Sequence, residues 1–186
     1  MKAVVVDFDG TLYRGNSFED CVKMTLKSCL KKWHIASALR ISAWVALRKL
    51  RLVSHARMKY QLQPVLEKGY DKQAFLLHLR LHINQEIWEE CLQYRALNYH
   101  LCLATAAPEF YIECLVENMN FDSFCATPRS KVPYNQWKEN RGESKKEHCL
   151  QLLAQADASL ELFITDHSDD LPLLQVAKHH IIVKQD

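Results

Sequence analysis

Near the start of the chain an unbroken apolar run, Val4 to Val6, gives way to DFDGT, where two aspartates and a glycine end it. A short, continuous, β-branched run closed by Gly10 predicts a fully buried strand over Val4–Phe8. From Ser17 to about Arg95 the apolar positions recur every three and four residues, the spacing of helices that turn one face inward. Pro64 and Gly69-Tyr70-Asp71 supply the breaks, so four or five helices are expected there. Beyond Leu97 alternation returns. NYHLCLATA predicts a second strand ending at Thr105, and Pro108 opens a helix to about Asn118, since a proline in the first turn gives up an N–H without a helical partner. Phe124 to Ala126 reads as a short third strand and Pro128 to Gly142 as a polar loop. SKKEHCLQLLAQA reads as a helix capped by Ser144, with Glu147 closing a capping box. ELFIT is a fourth strand running into Asp166, DDLPLLQVA a short helix, and HHIIVK a fifth strand begun by His179 and His180.

Strands alternating with helices on both sides of a long helical block describe a parallel α/β sheet carrying a cap after its first strand. The expected division is a core of residues 1–16 and 96–186 with a helical cap of residues 17–95. In such sheets ligands bind at the carboxyl ends of the strands, which is where Asp7, Thr105 and Asp166 fall. At 186 residues, 48% hydrophobic and 25% charged, the chain has the composition of one globular domain able to bury a real core.

Seven cysteines, at 21, 29, 91, 102, 114, 125 and 149, contain no CxxC pair, so free thiols in a reducing cytoplasm are expected rather than a zinc or disulfide framework. No apolar stretch reaches the length of a membrane span and no signal-peptide pattern leads the chain, so a protein neither secreted nor membrane-spanning is expected. The net charge of +2 hides an asymmetry. From Cys21 to Lys68 there are eleven Lys or Arg against Glu67 alone, whereas acids outnumber bases in the remainder. Two surfaces with different jobs are implied.

The aspartates of DFDGT are the clearest chemical signal. A strand end followed by a glycine turn aims Asp7 and Asp9 into one cleft, where two carboxylates a few ångströms apart repel by roughly 4 kcal/mol at an effective dielectric near 20. A hard divalent cation is the natural counter-charge, and Mg²⁺ accepts one or two carboxylates plus phosphate and water.

DFDGT, Thr105 closing the second strand, a lysine shortly after Gly142, and TDHSDDLPLL, in that order, resemble the motifs of the haloacid dehalogenase superfamily of phosphohydrolases. D-x-x-x-D-x-P in DHSDDLP is similar to the phosphoserine phosphatase-like branch. The resemblance covers residues 4–15 and 97–183 and implies a Rossmann-like core with a helical cap. It also implies Mg²⁺-dependent hydrolysis of a phosphate monoester through an aspartyl-phosphate. Carried over by position, Asp7 would be the nucleophile and a metal ligand. Asp9 would be the general acid and then base, lending its backbone carbonyl to the metal. Thr105 would bind a phosphoryl oxygen, Lys145 would neutralise the phosphate and hold Asp7, Asp166 would bind the metal and Asp170 would support it. Lys146 competes with Lys145, and Asp169 with Asp170. Where the branch often has serine, this chain has Ala107.

The substrate expected is a phosphorylated small molecule, phosphoserine among the options, or a lipid phosphate. Between Ser17 and Asp71 the carboxylates are Glu19, Asp20 and Glu67, so no amine-binding site is obvious. The basic block KSCLKKWHIASALRISAWVALRKLRLV reads as a solvated cap face, or as a positive lid making peripheral contact with an anionic membrane. No nucleic-acid recognition motif is present. A different class remains: a catalytically weak binding protein that docks on anionic membrane or nucleic acid through this cap. His78 and His82, four apart, have a zinc-compatible spacing but no evident third ligand and read as surface or core histidines. His167 is expected at the edge of the cleft.

Overall fold

The computed structural model describes residues 1–166 and 168–184; His167 lies outside the described residues. Five strands, β1 (Lys2–Val6), β2 (His100–Pro108), β3 (Ser123–Thr127), β4 (Ser159–Thr165) and β5 (His179–Ile182), form one parallel sheet in the order β3-β2-β1-β4-β5. The valine run occupies the central strand: Val4 pairs with Leu101 on one side and Leu162 on the other, and Ala3 to Val6 are fully buried. A strand covered on both faces needs apolar residues at every position, hence the absence of alternation. Val4, Val6, Leu101 and Leu103 face one layer, while Ala3, Val5, Cys102 and Phe163 face the other.

Between β1 and β2 stand five helices: α1 (Ser17–Lys31), α2 (Ile35–Lys49), α3 (His55–Gly69), α4 (Lys72–Leu81) and α5 (Gln85–Ala96). They share one core with the sheet, since Leu62, Leu66, Leu79 and Cys91 pack in the cluster that holds Val4, Val6 and Leu115. After β2 come α6 (Glu109–Met119), then, beyond β3, α7 (Glu143–Gln155), and a 3-10 turn (Ser168–Asp170) leading into α8 (Leu171–Leu174). All seven cysteines are buried free thiols.

Three local expectations fail, each for a physical reason. Pro64 does not break α3. Its ring is exposed, and burial of Leu62 and Leu66 on either side offsets the lost backbone bond. Strand β2 continues past Thr105 to Pro108, with a register shift between Ala104 and Pro108 as it follows β3. Ser144 does not cap α7. The helix begins at Glu143 after Gly142, which turns the chain at φ +58°, a left-handed backbone that glycine adopts without a Cβ clash.

Candidate active site

At the carboxyl end of β1 the ladder continues one residue, Asp7 N–H donating to the Ile164 carbonyl at 2.9 Å. Gly10, at φ +77°, then folds the chain back, donating its N–H to the carbonyls of Tyr13 (2.9 Å) and Gly15 (3.1 Å). Phe8 turns into the core and stacks on Tyr13 with ring centroids 5.3 Å apart. Its neighbours Asp7 and Asp9 line a cavity of about 190 Å³. Thr105, Lys145, Asp166 and Asp170 line the same cavity, so residues from four segments far apart in the chain converge on it.

The convergence is electrostatic. Lys145, in the first turn of α7, is buried; its Nζ donates to Asp7 Oδ1 at 2.9 Å and reaches Asp170 Oδ1 at 2.7 Å. Thr165 Oγ1 donates to Asp170 Oδ2 at 2.8 Å, anchoring that carboxylate to the end of β4. Lys146 turns outward instead and pairs with Glu143 at 2.5 Å, and Asp169 pairs with Arg141 toward the exposed rim. Burial pushes the Asp7 carboxyl up to about 7, with Lys145 opposing and the Asp170 charge adding to the rise. Burial also works to lower the Lys145 ammonium, but Asp7 and Asp170 together outweigh it and hold the ammonium above its ordinary value. The two tendencies compete, and we favour a charged Lys145. One ammonium between two carboxylates neutralises only one of them, leaving a negative charge for a cation to offset.

Asp9 is likewise raised by burial, against the Ser17 backbone N–H that donates to its Oδ1 at 2.6 Å. Thr11 donates its hydroxyl to Asp166 Oδ1 at 3.0 Å, tying the loop after β1 to the end of β4. The Thr105 hydroxyl accepts the Ala107 N–H at 2.9 Å. That leaves its own hydrogen to be directed at another acceptor. The Ala107 methyl is buried; the residue of this turn that meets the cavity is Ala106.

Sequence reasoning missed the rest of the wall. Lys59, from α3, is buried and donates to the Ala106 carbonyl at 2.8 Å and to Glu139 Oε1. His55, one turn earlier, also lines the cavity, with Asn16, Phe18 and Arg141. Burial, followed by the nearby charges of Lys59, Arg48 and Arg141, holds its imidazole below the ordinary histidine value, Glu139 opposing. A signal existed: Lys59 and Gln63 sit four apart beside the apolar row Met58, Leu62, Leu66, on positions the helical period turns inward. Asn140 carried no signal at all. Fully buried, it pins the loop before α7 by donating its amide to the carbonyls of Thr105 (2.9 Å) and Cys125 (3.2 Å). His78 does not read as a ligand: its Nε2 lies 3.1 Å from the Tyr13 hydroxyl, which itself donates to Asp20 at 2.6 Å.

The strand-end carboxylates of Asp7 and Asp166 offer oxygen donors to the cavity, which suit a hard divalent ion rather than a soft one. Among the described residues no three His, Cys, Asp or Glu side chains gather closely enough to hold an ion by themselves. An ion here draws further ligands from backbone carbonyl, phosphate or water, the mixture Mg²⁺ accepts.

The family model for haloacid dehalogenase-like hydrolases matches residues 4–175. The chain belongs to that family. No curated protein matches the sequence closely. Among solved structures, a haloacid dehalogenase-like relationship of fold is visible at low identity. A protein of unknown function from Bordetella pertussis Tohama I is 16% identical, with 97% of this chain and 89% of that one aligned at a TM-score of 0.72. A probable phosphoserine phosphatase from Vibrio cholerae is 13% identical at a TM-score of 0.63, and 97% of this chain spans 56% of that protein. A substrate-bound phosphoserine phosphatase is 11% identical at a TM-score of 0.63, covering 98% of this chain and 86% of that one. At these identities the likeness concerns the fold, a family sheet with helices on both faces.

Proposed function

We propose that this haloacid dehalogenase-like hydrolase is a Mg²⁺-dependent phosphatase that cleaves a phosphate monoester of a small molecule or lipid through an aspartyl-phosphate on Asp7. The observation that carries the reading is the buried Lys145 ammonium bridging Asp7 and Asp170 on the floor of a cavity that Asp9, Thr105 and Asp166 also line. Residues 1–16 and 96–186 form the catalytic core in this reading and residues 17–95 the cap, working in a reducing cytoplasm where buried thiols stay free.

The Asp7 carboxylate attacks phosphorus, forming a P–O bond to its own oxygen while the bond to the leaving oxygen breaks. Asp9, whose carboxyl burial raises, gives its proton to that leaving oxygen. Asp9, now ionised, then takes a proton from water as it attacks the aspartyl-phosphate, releasing inorganic phosphate and restoring Asp7. Lys145 holds Asp7 in place and balances phosphoryl charge, and Thr105 donates its hydroxyl hydrogen to a phosphoryl oxygen. The carboxylates of Asp7 and Asp166 and the Asp9 carbonyl would hold Mg²⁺, which would supply charge neutralisation.

The test is inorganic phosphate release from p-nitrophenyl phosphate, phosphoserine, sugar phosphates, nucleotides and a lipid phosphate, with Mg²⁺ or EDTA, beside Asp7→Asn. Release that needs Mg²⁺ and disappears in Asp7→Asn is expected. Release unchanged in Asp7→Asn, or none from any compound by folded protein with Mg²⁺, would overturn the reading.

A further inference from the structure

Helix α2 has two apolar faces. Ala38 and Ile41 are its buried residues, packed inward toward α1 and α3. Leu39, Ala43, Ala46 and Leu50, spaced at four, three and four, form a second stripe that faces solvent; Leu39 is 65% and Leu50 68% exposed. The stripe continues past both helix ends. Trp33, in the turn before α2, is 83% exposed, and Leu52 in the turn after it is 68% exposed. Trp33 also holds a left-handed backbone, φ +58°, which is uncommon for a bulky side chain. The fold leaves most of that tryptophan in water, and it adds to a contiguous apolar stripe, the kind of patch that marks a contact surface.

Charge around the stripe has one sign. Arg40 and Lys49 border it, Arg51 follows in the next turn, and no acid occurs between Cys21 and Lys68 except Glu67. A groove of about 340 Å³ lies where α2 meets α3, bearing His34, Arg40 and Lys68 and no carboxylate in its lining. Ala36 and Arg40 line the groove and stand three residues before Leu39 and Ala43, and positions three apart are neighbours on a helix surface, so the cationic groove and the apolar stripe adjoin. A second copy meeting this face with the same face would set two strongly positive surfaces together.

From this juxtaposition we propose that the α1–α2 turn, α2 and the His34–Arg40–Lys68 groove form a peripheral docking face for an anionic phospholipid bilayer. The apolar stripe enters the headgroup boundary while lysine and arginine meet lipid phosphates. The contact is superficial: among the described residues no helix is long and apolar enough to cross a membrane. It is independent of what the cavity at Asp7 hydrolyses.

The test is flotation of the purified full chain with vesicles of phosphatidylcholine alone or of phosphatidylcholine with phosphatidylglycerol. Flotation is expected with phosphatidylglycerol vesicles only, falling sharply in about 1 M salt, where the screening length shrinks to about 3 Å. Leu39→Glu/Leu50→Glu is expected to weaken it by at least about tenfold, since it places charge where apolar side chains enter the lipid. Thermal melting verifies folding, and Arg40→Gln/Lys68→Gln, with no change to the stripe, gives a second, milder loss. The proposal is overturned by no flotation, by equal flotation with phosphatidylcholine alone, or by variants that bind like the parent. Tighter binding to duplex DNA than to vesicles, or a dimer that Leu39→Glu/Leu50→Glu dissolves, would overturn it as well.

Discussion

In the central strand, Ala3 to Val6 are all fully buried and each side chain has a fixed face; in α2, Ala38 and Ile41 are the buried residues of fifteen. The sheet holds Asp7 and Asp166 at strand ends, and Asp7 is tied to β4 by its own N–H on the Ile164 carbonyl. The helical block contributes to the same cavity through side chains that cross a gap, Lys59 above all. The carboxylates of the cavity reside on strand ends and the turns after them, while α2 turns charge and apolar surface toward solvent.

The contrast is broken most forcefully at Lys145. Lys145→Met leaves Asp7 and Asp170 buried without their cation, and a loss of about 3–5 kcal/mol is expected in urea unfolding. If stability is unchanged, the bridge between β1 and the turn after β4 does not hold the site together. Asp9→Asn comes next, acting on rate rather than fold. Release from an alkyl phosphate, a poor leaving group, should fall by about 10²–10⁴, and from p-nitrophenyl phosphate much less. Equal losses on both would remove Asp9 from the role of acid.

In α3, Lys59→Met strands Glu139 and is expected to cost about 2–4 kcal/mol, less than Lys145→Met because His55 Nδ1, 3.9 Å from Glu139, can take up part of the charge. Lys59→Met/Glu139→Leu should recover most of that loss in the same unfolding measurement; no recovery would show that the bond to the Ala106 carbonyl matters more than the ion pair. The smallest effect expected is a gain. Both amide atoms of Gln63 are buried without a hydrogen-bond partner among the described residues, so Gln63→Met should raise stability by about 1 kcal/mol in a thermal melt. A loss there would mean that the amide is used.

How far the sequence announces this molecule follows the same division. DFDGT and DHSDDLP are local: each pairs a strand end with the turn that follows it, so the residue pattern points to Asp7, Asp9 and Asp166 and leaves Asp169 competing with Asp170. The spacing from Gly142 favours Lys145 over Lys146, but its burial depends on where α7 begins, and that start is set by the backbone of Gly142 rather than by the hydroxyl of Ser144. Lys59, His55 and Glu139 meet through tertiary packing between a helix and a loop about 80 residues later, a contact without local periodicity. Pro64 misled because exposed proline and buried leucine alternate within one helix, and packing outweighed propensity.

The position of β1 at the middle of the sheet also sets a timetable for synthesis. Its register partners lie at residues 100–103 on one side and 159–164 on the other. At about 5–20 residues per second, the ribosome delivers the second partner roughly 8–30 s after the first strand emerges. For roughly the first 5–20 s of that interval, until residues 100–103 are made, the valine ribbon has no edge of its own sheet to join, and one side of it stays unpaired until β4, the condition in which chains pair with the wrong neighbour. Helices α1 to α5 are made in the meantime from contacts close in sequence, and Val4 and Val6 belong to the cluster those helices build. Helices that share a core with Val4 and Val6 can therefore cover one face of the strand before β4 arrives.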